Sequence, residues 1–217
     1  MGYSTGDEKL DVLLDGGIPE GKNILVCGPP GEIKKAFILE IAAQSTKHGK
    51  HAVIIDFDEP IDKIKEEIKD RGGDLSKLIV VDGYSWSLGV PSNNRYNLQS
   101  PNALNDLAII LSNISNTINR GFLLVYYSLS TVLLYNEVNE TYRFLQTTSA
   151  KLKEKGATSL FLVEEGMHPE DTMITIEHLM DDKYTFKKSG TSWKLRIKSM
   201  DDFPITVEYI NNKVKIP

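Results

Sequence analysis

Short apolar runs alternate with stretches of helical periodicity along most of the chain. The runs carry little polar alternation, which is typical of strands that are buried on both faces of a parallel sheet. They are Asn23–Cys27, Ala52–Phe57, Leu78–Asp82, Phe122–Tyr127 and Thr158–Val163. Because a helical pattern separates most of these strands, the sequence predicts an α/β fold with a mainly parallel central sheet and helices on both faces.

Apolar residues three and four positions apart mark the predicted helices. Ser100-Pro101 supplies an N-terminal cap and a first-turn proline for one helix, and Ser130 supplies the cap of a short helix. The predicted helices run from near Lys34 to Lys47, from Ile61 to Arg71, from Ser100 to Ile118, from Ser130 to Leu134 and from Val138 to Lys155. The polar segment Gly83–Ser100 is predicted as a long loop, and loops of that length inside a compact domain are usually functional or mobile.

The pattern changes from Tyr184 onward, where apolar and polar residues alternate. The alternating segments are Tyr184–Lys188, Trp193–Lys198 and Ile205–Ile210, and the last turns through Asn211-Asn212 into Lys213–Ile216. Such segments joined by short turns predict antiparallel strands, so we expect a C-terminal antiparallel meander on the same sheet. The predicted organisation is one domain over residues 1–217, with an α/β core in 1–182 and a β extension in 183–217.

Composition narrows the class of protein. The chain has 217 residues, of which 41% are hydrophobic, and a net charge of −5. That charge gives no global attraction to nucleic acid or to an anionic membrane. No apolar run is long enough to span a bilayer, no signal-peptide pattern begins the chain, and the single Cys27 suits a reducing compartment, so we expect a cytoplasmic protein with no membrane partner. His178, one of 4 histidines, has no partner at metal-ligand spacing, and no metal site is expected.

The loop Gly28–Lys35 lies between the first predicted strand and the first long helix, which is the context of a phosphate-binding P-loop. In the pattern G-x-x-x-x-G-K-[ST], the glycines let backbone N–H groups surround a phosphate, the lysine reaches the terminal phosphates, and the hydroxyl holds Mg²⁺. Gly28 and Lys34 match this pattern, whereas Ile33 replaces the second glycine and Lys35 replaces the hydroxyl residue. A branched side chain at the glycine position would crowd the phosphate path, and a lysine offers no oxygen to a cation. On these residues alone, an ordinary Gly/Pro turn is an equal alternative.

The segment before the loop carries further matches, at Thr5-Gly6, Leu10-Asp11 and Leu14–Gly21. Together with the loop they resemble the beginning of the RecA/KaiC-like ATPase domain, which reads T-G…L-D-x-L-L-x-G-G-I-P-x-G before an apolar strand and the P-loop. The resemblance extends over nearly the whole chain and is to prokaryotic KaiC-like and RadA-paralogue proteins. It implies a three-layer RecA-like P-loop fold.

The resemblance also implies positions for the functional residues. The family places acidic residues after the strand that follows the P-loop helix, and Asp58-Glu59 stands there, so Glu59 is the candidate catalytic base. Tyr127 replaces the aspartate that ends the family's Walker B strand and supports Mg²⁺, and Ser199-Met200-Asp201 replaces its K-x-R finger. The nucleotide-binding loop of the family corresponds to Gly28, Pro29, Pro30, Gly31, Glu32, Ile33, Lys34 and Lys35.

These replacements lead to a hypothesis about function. Phosphoryl transfer depends on positioning and on neutralising the phosphates, so loss of both Mg²⁺ supports predicts slow or absent hydrolysis. Lys34 and Lys35 at a helix N-terminus still favour an anion, so the expected cofactor is weakly bound ATP, another nucleotide or phosphate, with Mg²⁺ not well held. We predict a regulatory or assembly partner, in a homo-oligomer or in a hetero-oligomer with an active RecA/KaiC-like relative.

Two alternatives remain open from the sequence. The first is an active ATPase in which Asp56, Asp58 or Glu59 supports the metal ion. The second is a nucleic-acid-binding recombinase paralogue, because Lys194, Arg196 and Lys198 lie on one face of a predicted strand and form a basic stripe with Lys187-Lys188. Nucleic acid is the less favoured partner, since the net charge is acidic and such stripes are commonly solvated faces.

Overall fold

The computed structural model describes residues 2–119 and 121–217, which form an α/β fold around a central sheet of nine strands. The strand order is β3-β2-β4-β5-β1-β6-β7-β8-β9. The strands are β1 (Asn23–Gly28), β2 (Ala52–Asp56), β3 (Leu78–Asp82), β4 (Leu123–Tyr126), β5 (Thr158–Glu164), β6 (Asp182–Ser189), β7 (Ser192–Ile197), β8 (Ile205–Ile210) and β9 (Lys213–Lys215). The five predicted core strands are therefore all present and close to their predicted bounds.

Parallel pairing extends from β3 through β2, β4, β5 and β1 to β6. Strands β6 to β9 pair antiparallel in chain order, which confirms the predicted C-terminal meander. The meander joins the rest of the sheet through β6, which pairs parallel to β1 and antiparallel to β7. Alternation within β6 reflects burial of one face only, and burial of one face does not reveal the direction of the neighbouring strand.

The helices of the structure are α1 (Glu8–Leu13), α2 (Glu32–Lys47), α3 (Ile61–Asp70), α4 (Tyr84–Ser87), α5 (Leu104–Thr117), α6 (Leu129–Tyr135), α7 (Val138–Glu154) and α8 (Glu170–Glu177). The predicted start of α5 at Ser100 is wrong, because Pro101 and Asn102 form a turn before the helix. Ser130 does not cap α6 either; it lies inside the helix and its hydroxyl accepts a hydrogen bond from the Glu164 amide at 2.9 Å. None of the described helices is long and apolar enough to cross a bilayer.

Two hydrophobic layers enclose the sheet. On one face, α2 packs through Phe37 against Tyr184 and Phe186 of β6, with ring centroids 6.4 and 5.4 Å apart. On the other face, α5, α6 and α7 cover β2, β4 and β5, and Leu111 and Leu145 are buried there. This second layer ends at β1, so the strands beyond it receive helix packing on the α2 face only.

A buried ionic cluster fastens the C-terminal hairpin to helices α2 and α3. The carboxylate of Glu40 in α2 lies 3.6 Å from Nε of Arg71 and 3.4 Å from Nζ of Lys213. Arg71 in turn donates to the Asn212 carbonyl at 3.0 Å and to Glu67. Glu40 and Arg71 are both buried, so each offsets the cost of removing the other from water.

Candidate functional site

The loop at the carboxyl end of β1 begins at Gly28, where the chain comes directly against strand β6. A Cβ atom on Gly28 would lie 2.6 Å from the carbonyl oxygen of Phe186. Only glycine permits this approach, so the residue that matches the first P-loop position is also required by packing. Helix α2 begins at Glu32, with Gly31 at its N-cap.

The ammonium group of Lys34 points away from solvent. Its Nζ donates to the carbonyl of Pro29 and to a carboxylate oxygen of Glu164 at 2.9 Å, and the Lys34 side chain has no exposed surface. Gly28 and Glu164 are register partners in the parallel pair of β1 and β5, which brings Glu164 to the loop. The charge of Lys34 is thus paired inside the protein.

Lys35 makes a second internal ion pair at the same edge of the sheet. Its Nζ lies 2.6 Å from one oxygen of Glu59, while Nζ of Lys63 lies 3.0 Å from the other oxygen. Burial by itself would raise the pKa of Glu59, but the two ammonium groups outweigh burial and hold that pKa below its ordinary value. Glu59 is therefore ionised at neutral pH, and both of its oxygens face cations.

Asp56, at the end of β2, is the most strongly perturbed carboxyl of this edge. Burial raises its pKa to about 6, although a hydrogen bond from the Ser128 hydroxyl at 2.5 Å opposes the rise. Its oxygens also accept the backbone N–H groups of Asp58 and Glu59, each at 3.0 Å. Asp56 therefore shapes the turn after β2, and Asp58 accepts a bond from the Thr131 hydroxyl at 2.6 Å.

Tyr127 directly follows β4 and is buried beside these charges. The ammonium of Lys35 lies 5.6 Å from the centroid of its ring, which is within the range of a cation–π contact. Burial, followed by the charges of Glu59 and Asp56, raises the pKa of the Tyr127 phenol. Tyr127 is therefore neutral, and it offers an aromatic face at the position where the sequence lacks a carboxylate.

The structure brings most of the predicted site residues together, with one change of role. Gly28, Lys34, Lys35 and Glu59 all lie at the carboxyl edge of the sheet, as the sequence predicts. Ile33, in contrast, lies in the first turn of α2 with its side chain buried in the core, so it does not line the loop as predicted. The reason is that α2 begins at Glu32, which turns the next residue toward the sheet.

Two residues of the site are not found by sequence reasoning. Glu164, at the end of β5, binds Lys34, and Ser128, just after β4, donates a hydrogen bond to Asp56. Each stands at or just after the carboxyl end of a predicted strand, and that placement is the signal that could have identified it. The Ser199-Met200-Asp201 segment lies elsewhere, and its Ser199 donates to Asp182 at 2.5 Å.

Comparison with known proteins identifies the family. The family model described as the KaiC ATPase matches residues 3–189. The chain belongs to the KaiC ATPase family. The DNA repair protein RadA of Campylobacter jejuni is 40% identical over 63 residues, which are 29% of this chain and only 14% of that protein. A UPF0273 protein of Methanocaldococcus jannaschii is 24% identical in an alignment 211 residues long that covers 88% of this chain and 86% of that protein.

A solved structure shares the fold of this KaiC-family chain over almost its full length. It is an uncharacterized protein of Pyrococcus horikoshii, crystallised in complex with an unknown peptide. The TM-score is 0.78 at 17% identity, and the match covers 99% of this chain and 98% of the other. At that identity the comparison establishes the fold alone, and it confirms the predicted RecA-like sheet with its C-terminal meander.

Proposed function

We propose that this KaiC-family protein does not turn over ATP and acts as a regulatory or assembly partner. The observation that carries the proposal is the internal pairing of both loop lysines, Lys34 with Glu164 and Lys35 with Glu59. In a working phosphoryl-transfer site, such cations neutralise the phosphates and are free to follow the developing charge. Here a ligand has to displace a carboxylate from each ammonium before it gains the same contact.

The side chains at this site also fit Mg²⁺ poorly. Magnesium requires oxygen ligands in nearly ideal octahedral geometry. Lys35 and Tyr127 stand where the P-loop hydroxyl and the Walker B carboxylate would be, and neither offers an anionic oxygen. Asp56 does not replace them, because its oxygens already accept three hydrogen bonds. This arrangement speaks against the alternative of an active ATPase with a carboxylate-supported metal ion.

A phosphate-bearing ligand retains one route to the loop. The ammonium of Lys35 already lies at the site edge and keeps about a fifth of its side chain exposed, at 21%. It can exchange Glu59 for a phosphate oxygen without a divalent cation, since Lys63 would still pair with Glu59. We therefore propose weak, metal-independent binding of ATP, another nucleotide or inorganic phosphate at Gly28–Lys35.

The assembly role draws support from an exposed aromatic pair near the same edge. Trp86 of α4 and Tyr135 of α6 meet edge to face, with ring centroids 5.5 Å apart, and both keep exposed surface. Leu88, two residues after Trp86, and Leu134, directly before Tyr135, are also exposed. Aromatic residues of this kind are enriched at the centres of protein interfaces. We propose a partner that is either a second copy of the chain or an active KaiC-family relative.

Phosphate release and calorimetry together test the proposal. The parent chain should release phosphate from ATP no faster than the Lys34→Ala variant does, with or without Mg²⁺. In calorimetry, ATP with EDTA should bind as well as ATP with Mg²⁺, and Lys35→Ala should weaken both. Turnover that requires Lys34 would overturn the loss of catalysis, and strictly Mg²⁺-dependent affinity would overturn the metal-independent binding. Size-exclusion chromatography with light scattering tests the assembly separately, where a strictly monomeric chain that binds no relative would contradict it.

A further inference from the structure

Strands β6, β7 and β8 present one sheet face that the described helices leave open, except at the edge where α8 contacts Lys183. Their apolar residues, such as Phe186 and Leu195, face α2 and are buried. The alternate residues point the other way, because side chains alternate along a strand. On this open face stand Lys183, Thr185, Lys187, Lys194, Arg196 and Thr206.

Two lysines oppose each other directly on the open face. Lys187 and Lys194 are register partners in the antiparallel pair of β6 and β7, and Arg196 lies one step along the same face, opposite Thr185. Like charges placed directly opposite each other destabilise a sheet. The chain carries more carboxylates than cations, with a net charge of −5, yet none in its described part is placed to offset the repulsion between these two lysines, and that arrangement requires an explanation.

The described residues place no carboxylate within ion-pair distance of these three cations. Lys194 donates to the Thr206 hydroxyl at 2.6 Å, and Arg196 donates to the Asp202 carbonyl at 3.1 Å. By contrast, Lys183 and Lys198 on the same side of the sheet are both paired with Glu177 of α8, at 2.7 and 3.2 Å. The surface therefore divides into a neutralised part beside α8 and a cationic part formed by Lys187, Lys194 and Arg196.

A groove of about 500 Å³ runs between these two parts. Thr185 and Cys27 line it together with Met173 of α8, Glu165 and Glu177 line its α8 side, and Asp202 lines it next to Arg196. A nucleic-acid strand carries negative charge along its whole length and would be repelled by those carboxylates. A polypeptide can place its carboxylates on one side only, because alternate residues of an extended segment point in opposite directions.

We propose that the open face of β6 and β7 docks an extended acidic segment of a partner protein. Carboxylates of that segment pair with Lys187, Lys194 and Arg196, which relieves the repulsion between the two lysines. The other side of the segment lies over the groove beside Met173. This site is separate from the loop Gly28–Lys35, and it does not depend on whether ATP is bound or hydrolysed there.

The test uses the whole chain and a fluorescein-labelled peptide of about ten residues in which glutamate alternates with serine. In an extended peptide of this sequence all the carboxylates lie on one side, where they can pair with the three cations. Anisotropy should show binding that weakens as salt is added, and a matched peptide with glutamine in place of glutamate should not bind. The double variant Lys187→Gln/Lys194→Gln should lose about tenfold in affinity, because it removes two of the three cations that pair with the segment. The control variant Lys69→Gln/Lys151→Gln changes two exposed lysines elsewhere and should bind as the parent does.

Stability provides a second readout that separates docking from folding. Because the double variant removes a like-charge contact, it should unfold at the same or a higher urea concentration than the parent chain. A double variant that is clearly less stable would assign the lysines a structural role and overturn the proposal. Equal binding by the parent and the double variant would overturn it as well, as would tighter binding of an oligothymidylate of similar length than of the peptide. Loss of self-association in the double variant would assign the face to a second copy and exclude the foreign partner.

Discussion

Gly28 and Glu164 are register partners across β1 and β5, and this pairing places the Glu164 carboxylate 2.9 Å from the buried ammonium of Lys34. The pairing of the two strands therefore supplies the carboxylate that neutralises the loop lysine. Glu164 keeps part of its side chain in contact with solvent, whereas Lys34 keeps none. The two partners of this ion pair consequently differ in what each would lose without the other.

The first prediction uses that difference. Glu164→Gln leaves the Lys34 ammonium buried without a counter-charge, and we expect the free energy of unfolding to fall by about 1–3 kcal/mol, since a fully buried pair would cost more and an exposed one less. Urea denaturation measures the change. The neighbouring exposed residue gives a matched control, and Glu165→Gln should change the stability by less than about 0.5 kcal/mol.

Replacing Lys34 instead of Glu164 should lower the free energy of unfolding by less. Lys34→Met keeps the volume of the side chain, and the partly exposed Glu164 can turn to water. The double variant Lys34→Met/Glu164→Gln should be at least as stable as Glu164→Gln alone. If Glu164→Gln unfolded at the same urea concentration as the parent chain, the ion pair would have no part in holding the loop.

The second prediction concerns the packing of Gly28 against β6. The Cβ of Gly28→Ala would lie 2.6 Å from the Phe186 carbonyl oxygen, so either the loop or β6 has to move. We expect a loss of about 2 kcal/mol or more in stability, in the range of overpacked core sites. Gly31→Ala is the matched control, because the backbone φ is similar, 143° against 158°, and nothing lies within 4 Å of the added atom. Equal losses in the two variants would trace the effect to backbone strain instead of the contact with Phe186.

The fold was accessible from the sequence because its signals are local. Continuous apolar runs identified the five core strands, and residues such as Ile64 and Leu111 marked the buried faces of their helices. The helix starts were less accessible, as the Ser100 and Ser130 errors show. A serine is a good cap wherever it precedes a helical pattern, and only tertiary packing determines which serine is used.

The candidate site was accessible only in part. The motif located Lys34, Lys35 and Glu59, but it gave no information about what their charges contact. Those contacts come from strand order, because β5 lies beside β1 and delivers Glu164, while β4 lies beside β2 and delivers Ser128. Strand order depends on long-range pairing, which neither periodicity nor residue spacing encodes.

The third prediction concerns pH and Asp56, whose pKa is raised by burial from its ordinary value of 3.8 to about 6 in the folded protein. Because the folded state holds this proton more tightly than the unfolded state, the contribution of Asp56 to stability is greatest below about pH 4 and is lost as the pH rises to about 6. This difference in pKa between the folded and unfolded states corresponds to roughly 3 kcal/mol in the free energy of unfolding. Asp56→Asn abolishes the titration, so the stability of the variant relative to the parent should improve between pH 4 and pH 7 by up to about this amount.

Urea denaturation of both proteins across that pH range measures the difference, and comparison with the parent cancels the other carboxyl groups. Asp82 provides a control of opposite sign, since hydrogen bonds from Ser85 and Ser92 outweigh its burial and lower its pKa. Asp82→Asn should therefore lose stability relative to the parent as the pH rises through the acid range. A flat difference for Asp56→Asn would show that this carboxyl has an ordinary pKa in the folded protein.

The fourth prediction concerns the ionic cluster beneath the C-terminal hairpin. Arg71→Met removes the guanidinium between Glu40 and the Asn212 carbonyl and leaves Glu40 with Lys213 as its cation. We expect a loss of about 3 kcal/mol, because the change leaves a buried carboxylate with incomplete pairing. Hydrogen exchange of Arg71→Met should be faster than that of the parent chain in β8 and β9, with a smaller change in β2. Unchanged protection of the hairpin in Arg71→Met would contradict the role of this cluster in fastening it.

The contact of Gly28 with Phe186 has one further consequence. Lys187 directly follows Phe186, so a single peptide unit of β6 touches the phosphate-loop position through its carbonyl and carries the cationic surface on its next side chain. Because Gly28 has no side chain between the two backbone segments, a movement of either segment by a few tenths of an ångström displaces the other. The loop and the cationic surface are thereby joined by one backbone contact, so a side chain introduced at Gly28 is expected to displace the strand that carries Lys187.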